Sequence, residues 1–230
     1  MPLQGILSTA RSLSYYLRLQ EVTANNLANA NTDAFKADRL TAHLMPDLDH
    51  AVAVQSTDLQ HGSFRETGRP LDIGLDGPGF LVVKTEQGER LFRGGSLQID
   101  SAGRLADAHG NLVLGEQGPL VLEGSDITFQ GDGTIEVDGT IAGRLRLAAV
   151  PDPSTLLKEG SGRFIAGGPV QPADEGSLRV RQGAIEQANL DPIVSMVDLV
   201  AIQRAYTANI DALRAMDGVL NVVANDVGKV

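Results

Sequence analysis

The chain has 230 residues, no Cys, no Trp and a formal net charge of −10. Without Cys there are no disulfides, thiolate metal sites or cysteine nucleophiles, and the acidic balance argues against a phosphate-binding surface, so no nucleic-acid partner is expected. No apolar run approaches the ~20 residues of a membrane span, so the chain is expected not to be an integral membrane protein.

Gly and Pro divide the chain into three parts. Of 26 Gly, 23 fall between Gly62 and Gly183, and no Pro occurs between Leu3 and Met45 or after Pro192. Both residues interrupt regular structure, so their absence marks two long uninterrupted segments, one at each end. The middle, 41–189, also holds nine of the ten net negative charges, which reads as a solvated, self-repelling surface.

The first segment predicts a helix. Positions 3, 6, 10, 13, 17, 20, 24, 27 and 31 follow a 3-4 spacing, and seven of the nine are apolar: Leu3, Ile6, Ala10, Leu13, Leu17, Ala24 and Leu27. Four heptads of such spacing are what a coiled-coil seam requires. The helix is expected to end in Asn25-Asn26-Leu27-Ala28-Asn29-Ala30-Asn31-Thr32-Asp33, because Asn tolerates the left-handed conformation and bonds nearby backbone groups. Capping and subunit contact are the expected uses of that cluster. Phe35-Lys36 then resumes in an extended conformation.

From Arg69 onward, short apolar runs alternate with turn signals. Phe80–Val83, Leu97–Ile99, Leu112–Leu114, Leu120–Leu122, Ile127–Phe129 and Ile135–Val137 predict strands, Ile141–Val150 a longer one, and Leu178–Val180 the last. Asp132-Gly133 and Asp138-Gly139 are hairpin signals. Strands at this spacing indicate an all-β domain of the sandwich or barrel kind.

Asp191-Pro192 supplies an N-cap and a first-turn proline, so the last helix is expected to start there. Its seam, from 199 to 227, has eight apolar positions of nine, including Leu199, Ile202, Tyr206, Leu213, Met216, Leu220 and Val223. Ile193, Val197, Val200 and Ile210 lie off that seam, and exposed apolar surface of this kind marks a partner site. The fold class expected is α+β: two long terminal helices pairing as a coiled-coil-like module, with an inserted all-β central domain. The divisions are 1–35 and 190–230 for the helical assembly domain, 36–65 for an extended linker, and 66–189 for the β domain.

No catalytic constellation emerges. The four His at 43, 50, 61 and 109 show no metal-ligand spacing, and the glycines at 74, 77 and 79 lack the spacing and following helix of a dinucleotide loop. No enzyme activity, metal or cofactor is expected.

Three ordered blocks resemble the flagellar basal-body rod and hook family of axial proteins. Asn25–Lys36 is similar to its Asn-rich signature. Thr67-Gly68-Arg69-Pro70-Leu71-Asp72-Ile73 with Gly77-Pro78-Gly79-Phe80 resembles a second block. Gly183–Pro192 with Gln203-Arg204-Ala205-Tyr206 resembles the C-terminal signature. Ala34 stands where the family usually has Gly, Leu81 where it often has an aromatic, and Leu91-Phe92-Arg93 where it has Tyr-Thr-Arg. Gly118-Pro119-Leu120, Ile141–Leu147 and Leu178-Arg179-Val180 look most like the proximal-rod branch next to the distal rod, with the distal-rod branch second.

The resemblance implies a structural rod subunit that polymerises through its terminal helices into the axial tube, transmitting torque and conducting exported subunits. The implied partners are other rod subunits and further copies of itself, the flagellar type III export apparatus and the surrounding basal-body rings. The implied location is the periplasmic rod, reached without a cleaved signal peptide. The expected assembly residues are the apolar seam positions named above, Leu3 to Leu27 and Leu199 to Val223, with Asn26, Asn29, Asn31 and Phe35 at the turn. A rival of another class, a secreted β-domain binding module, would bind its ligand through 66–189 alone.

Overall fold

The computed structural model describes residues 2–44, 51–174 and 176–227, with the side chains of 2–4, 44 and 221–227 outside the description. The chain folds as two compact units: 1–30, 38–56 and 190–230 form a helical unit, and 31–37 with 57–189 form a β unit.

The helical unit consists of α1 (Pro2–Ala28), the paired strands β1 (Asp38–Leu44) and β2 (Ala51–Thr57), and α2 (Pro192–Val227). α1 is in contact with both α2 and β1. Its last turn is closed by asparagines: the Asn29 amide N–H reaches the carbonyls of Asn25 and Asn26, both at 3.2 Å, and Asn29 Nδ2 donates to the Asn25 carbonyl at 2.9 Å. α2 starts where its cap predicts. Asp191 Oδ1 accepts from the Ile193 amide at 2.8 Å, a donor the first helical turn otherwise leaves unpaired.

The β unit contains β3 (Phe64–Glu66), β4 (Asp72–Asp76), β5 (Phe80–Thr85), β6 (Gly88–Phe92), β7 (Gly94–Ile99), β8 (Leu105–Asp107), β9 (Leu112–Gly115) and β10 (Gly118–Pro119). It continues with β11 (Ile127–Phe129), β12 (Thr134–Val137), β13 (Thr140–Arg144), β14 (Leu147–Ala149), β15 (Leu156–Gly160), β16 (Arg163–Ala166), β17 (Gln171–Pro172), β18 (Arg179–Gln182) and β19 (Ala184–Glu186). The main sheet runs β15-β16-β6-β5-β9-β8-β7-β4-β18, with β10 on β9 and β14 joining β5 to β17. A second sheet runs β11-β12-β13, and β3 pairs with β19.

Alternation along β5 explains how both faces are covered. Leu81 and Val83 enter one core, shared with Ile73, Leu97, Leu105, Val113 and the inward residues Ile127, Phe129, Ile135 and Val137 of the three-stranded sheet. Phe80 and Val82 enter a second core with Leu91, Leu114, Leu156 and Phe164. A strand buried on both faces reads as a continuous apolar run, which is why Phe80-Leu81-Val82-Val83 is so legible.

Three expectations change. The described parts of 36–65, a stretch expected as an extended linker, carry the paired strands β1, β2 and β3. Leu120–Leu122 alternates in burial as a strand does but pairs only briefly, through the bridge from Val121 to Arg104 and the bonds Leu105 N–H to the Leu120 carbonyl and Leu122 N–H to the Gly103 carbonyl, so it makes no strand of its own. The long strand expected over Ile141–Val150 breaks at Leu145–Arg146 into β13 and β14, where Leu145 is buried and bridges Gly115.

Ala34 has φ +55° and is buried, with its amide bonded to the Glu186 carbonyl at 2.7 Å. The left-handed conformation costs a non-glycine residue about 1–2 kcal/mol. Ala34→Gly removes that strain but loosens the unfolded chain by about 0.5–1 kcal/mol and deletes a buried methyl worth about 0.8 kcal/mol. Near-neutrality is the expected outcome in thermal unfolding, whereas Ala34→Val, β-branched at positive φ, lowers stability by about 2 kcal/mol or more.

Candidate assembly interface

The helical unit keeps large apolar side chains in solvent. On α2, Ile193 is 72% exposed and Val197 64%, with Val194, Met196 and Val200 also exposed. Ile193, Val197 and Val200 stand at i, i+4 and i+7, one face of the helix. Farther along, Ile202 is buried, and Leu199, Tyr206, Leu213 and Leu220 are half-buried, while Met216 is exposed. α2 therefore partly covers the seam positions from Leu199 to Leu220, Met216 excepted, and leaves a second stripe bare at its start.

The seam on α1 is displaced. Ile6, Leu13 and Leu27 are half-buried, but Ala10 is exposed and Leu17 is 45% exposed. The most buried α1 side chains are Thr9 and Val22, neither on the expected stripe. The physical reason is that α1 has two neighbours, α2 and β1. Burial is divided around the helix, whereas a single 3-4 stripe describes packing against one partner. Gly5 lies on the α2 side, within contact distance of Met216. The side chains of Leu3 and Val223 lie outside the described residues.

The asparagines are committed within the chain. Asn26 Nδ2 donates to the Asp38 carbonyl at 2.8 Å, and its Oδ1 accepts from the Asp38 amide at 2.9 Å. This reciprocal pair fixes the start of β1. Asn29 caps α1 as described, and Asn25 and Asn31 are the exposed members. Phe35, half-buried in the β unit, lies under Lys158 Nζ at 4.6 Å from its ring centroid, an attractive cation–π geometry.

Sequence reasoning missed the most heavily bonded side chains of the β unit. Lys36, Arg93 and Glu186 are all buried. Glu186 Oε1 pairs with Lys36 Nζ and accepts from the Gly62 amide at 3.1 Å. Glu186 Oε2 accepts from Arg93 Nη2 at 2.8 Å and Nε at 3.2 Å. Arg93 also donates to the carbonyls of Leu75 and Gly77, each at 2.9 Å, and of Gly79, while Lys36 donates to Gln60 at 2.8 Å. Gly62 has to be glycine here, since a Cβ would lie 2.0 Å from the Gln187 carbonyl oxygen.

Two cations thus share one carboxylate inside the β unit. Burial disfavours ionisation of Glu186, but the Arg93 charge and the Lys36 hydrogen bond together hold it below the ordinary carboxylate range. Burial pushes the Lys36 ammonium down, against the bond to Glu186. His61 Nδ1 stands 3.1 Å from Arg93 Nη2, and partial burial and the Arg93 charge push its imidazole down. Each member comes from a different sequence block: Lys36 from the Asn-rich one, Arg93 from the segment after the central glycines, Glu186 from the C-terminal one. The only signal available was three charged residues inside otherwise apolar or glycine-rich motifs.

Among the described residues, no group of three or more His, Cys, Asp or Glu is placed to hold a metal ion, and no helix is long and apolar enough to cross a membrane. Bare apolar helix faces together with a satisfied internal ion network describe a structural subunit built to associate. Comparison with known proteins gives that class its family. The model described as flagella basal body rod protein matches residues 13–36, and that described as flagellar basal body rod FlgEFG protein C-terminal matches 181–226. The flagellar basal-body rod protein FlgF of Escherichia coli is 33% identical over 93% of this chain and 94% of its own length. FlgF of Salmonella typhimurium is 31% identical over the same shares, and the rod protein FlgG of Borreliella burgdorferi is 28% identical over 89% of this chain and 91% of its own. The chain belongs to the flagellar basal-body rod protein family and is a structural rod component of the proximal-rod type that its sequence resembles.

Proposed function

We propose that the chain polymerises through its two terminal helices into the wall of the axial tube of the basal body, with the β unit carried as a separate body. The observation that carries this reading is the bare stripe at the start of α2, where five large apolar side chains from Ile193 to Val200 are about half exposed or more. Covering each such side chain is worth about 1.5–3 kcal/mol, enough to offset the ordering of terminal helices that neighbours stabilise. α1 and α2 pair in a coiled-coil-like manner within each subunit, and the uncovered faces pair between subunits.

Other rod proteins and further copies of the chain are its partners, and the basal body is its location. The tube it helps to build transmits torque and conducts exported subunits. The chain itself reaches the periplasm through the flagellar type III apparatus, and its outer surface faces the surrounding rings. The functional division follows 1–35 with 190–230 for assembly, 36–65 as the connecting stretch and 66–189 as the β body.

Deleting residues 2–31 or 194–230 in the source cell tests the reading. Loss of motility and of assembled rods is the expected result for both deletions. Normal motility after either would overturn it, and ligand binding by 66–189 alone would favour a secreted binding module instead.

A further inference from the structure

Two surfaces of the helical unit lie uncovered, and they are complementary. The first is a groove of about 770 Å3 between α1 and the β1–β2 pair, walled by Leu7, Tyr15 and Tyr16 on one side and Ala42, Val52 and Ala53 on the other. Arg11 lines it, exposed and with no carboxylate partner among the described residues. The second is the start of α2, where Ile193, Val197 and Val200 form the bare stripe. Asp198 stands one turn after the exposed Val194, at the edge of this apolar start of α2, exposed and with no cationic partner among the described residues.

We infer that the groove receives the first turns of α2 from a second copy of this chain, with Asp198 of that copy meeting Arg11; this rests on the rod reading above. The chain's own stripe remains 48–72% exposed at Val200 and Ile193, so its own groove does not receive it. Each molecule carries both halves, so one copy's stripe fills the next copy's groove. No other chain is needed to cover either. Because the two patches differ, the contact is head-to-tail, and such contacts propagate into a ring or a helical series rather than closing a two-fold dimer. Apolar burial supplies the attraction, and the Arg11–Asp198 pair sets the register.

The absence of Cys makes a clean test available. Ser14→Cys places a single thiol at the groove, and Val197→Cys places one on the stripe. Cells expressing both variants are treated with a short bismaleimide, and basal bodies are isolated. Cross-linked dimers are expected only when both variants are present. Incorporation of both without dimers, dimers from either variant alone, or a cross-link to a different rod protein would each overturn the inference while leaving the rod reading intact. Absence of even the unmodified chain from basal bodies would overturn both. In parallel, Arg11→Asp and Asp198→Arg are each expected to cut incorporation by about tenfold or more, and the two together to restore it, because each single change brings like charges face to face. Losses that merely accumulate in the double variant would count against the pairing.

Discussion

Glu186→Gln is expected to lower the stability of the β unit by about 3–5 kcal/mol, because removing one partner leaves buried charge uncompensated. The residue is fully buried and pairs with both Lys36 and Arg93, and on substitution the Gly62 amide loses its charged acceptor. Against a typical domain stability of about 5–15 kcal/mol, that loss is large. Lys36→Met is expected to cost less, since Arg93 and Glu186 remain paired. All six Phe lie in the β unit and all three Tyr in the helical unit, so Phe fine structure in near-ultraviolet circular dichroism follows the first and Tyr fluorescence the second. A Glu186→Gln effect under about 0.5 kcal/mol, the range of ordinary surface changes, would contradict the network described.

The same network sets the pH dependence. Glu186 lies below its ordinary 4.5, so its contribution is fully present above that value and is lost as pH falls through the lower folded value. His61 lies below 6.5, so stability also declines as pH falls from 6.5 towards its folded value. Lys36 lies below 10.5, and stability rises as pH climbs from its folded value towards 10.5. In all three cases the unfolded chain binds more protons, so the signs agree and acid destabilises. The Glu186→Gln variant is expected to lose the decline below pH 4.5 that belongs to this carboxylate.

The second large effect falls on assembly rather than folding. Val197→Asp changes an exposed side chain, so the isolated chain is expected to keep its helix content and stability within about 0.5 kcal/mol. At the proposed assembly contact, the burial of a valine worth about 1.5–3 kcal/mol is replaced by a charge whose desolvation costs several more. Because the contact recurs at every subunit, motility is expected to be lost and the variant to be missing from basal bodies. Ile202→Asp provides the contrast, since Ile202 is already buried within the chain, and helix content itself is expected to fall. Normal motility with Val197→Asp would remove the stripe from the interface.

Much of this was legible in the sequence. Asp191-Pro192 marks the start of α2, and the Asn-rich run marks the end of α1, because caps act through bonds within a few residues. The apolar run of β5 shows its two-sided burial directly. Ala34 stands where the resembled family usually carries Gly, and the structure shows why glycine suits the position, since its φ is +55°. The three motif blocks identified the family because each survives as a short contiguous string.

What stayed hidden has one cause: burial belongs to the neighbours of a residue and not to the residue. The 3-4 pattern of α1 could not show that α2 and β1 would divide its surface, so Leu17 looked like seam and Val22 did not. Lys36 and Glu186 lie 150 residues apart, and in a linear string a lysine and a glutamate read as solvated surface. Local chemistry in the sequence determined the helix ends, the strand runs and the family. Only the folded chain decided which charges are enclosed together and which apolar face of α2 stays bare, because both depend on long-range closure that no local pattern encodes.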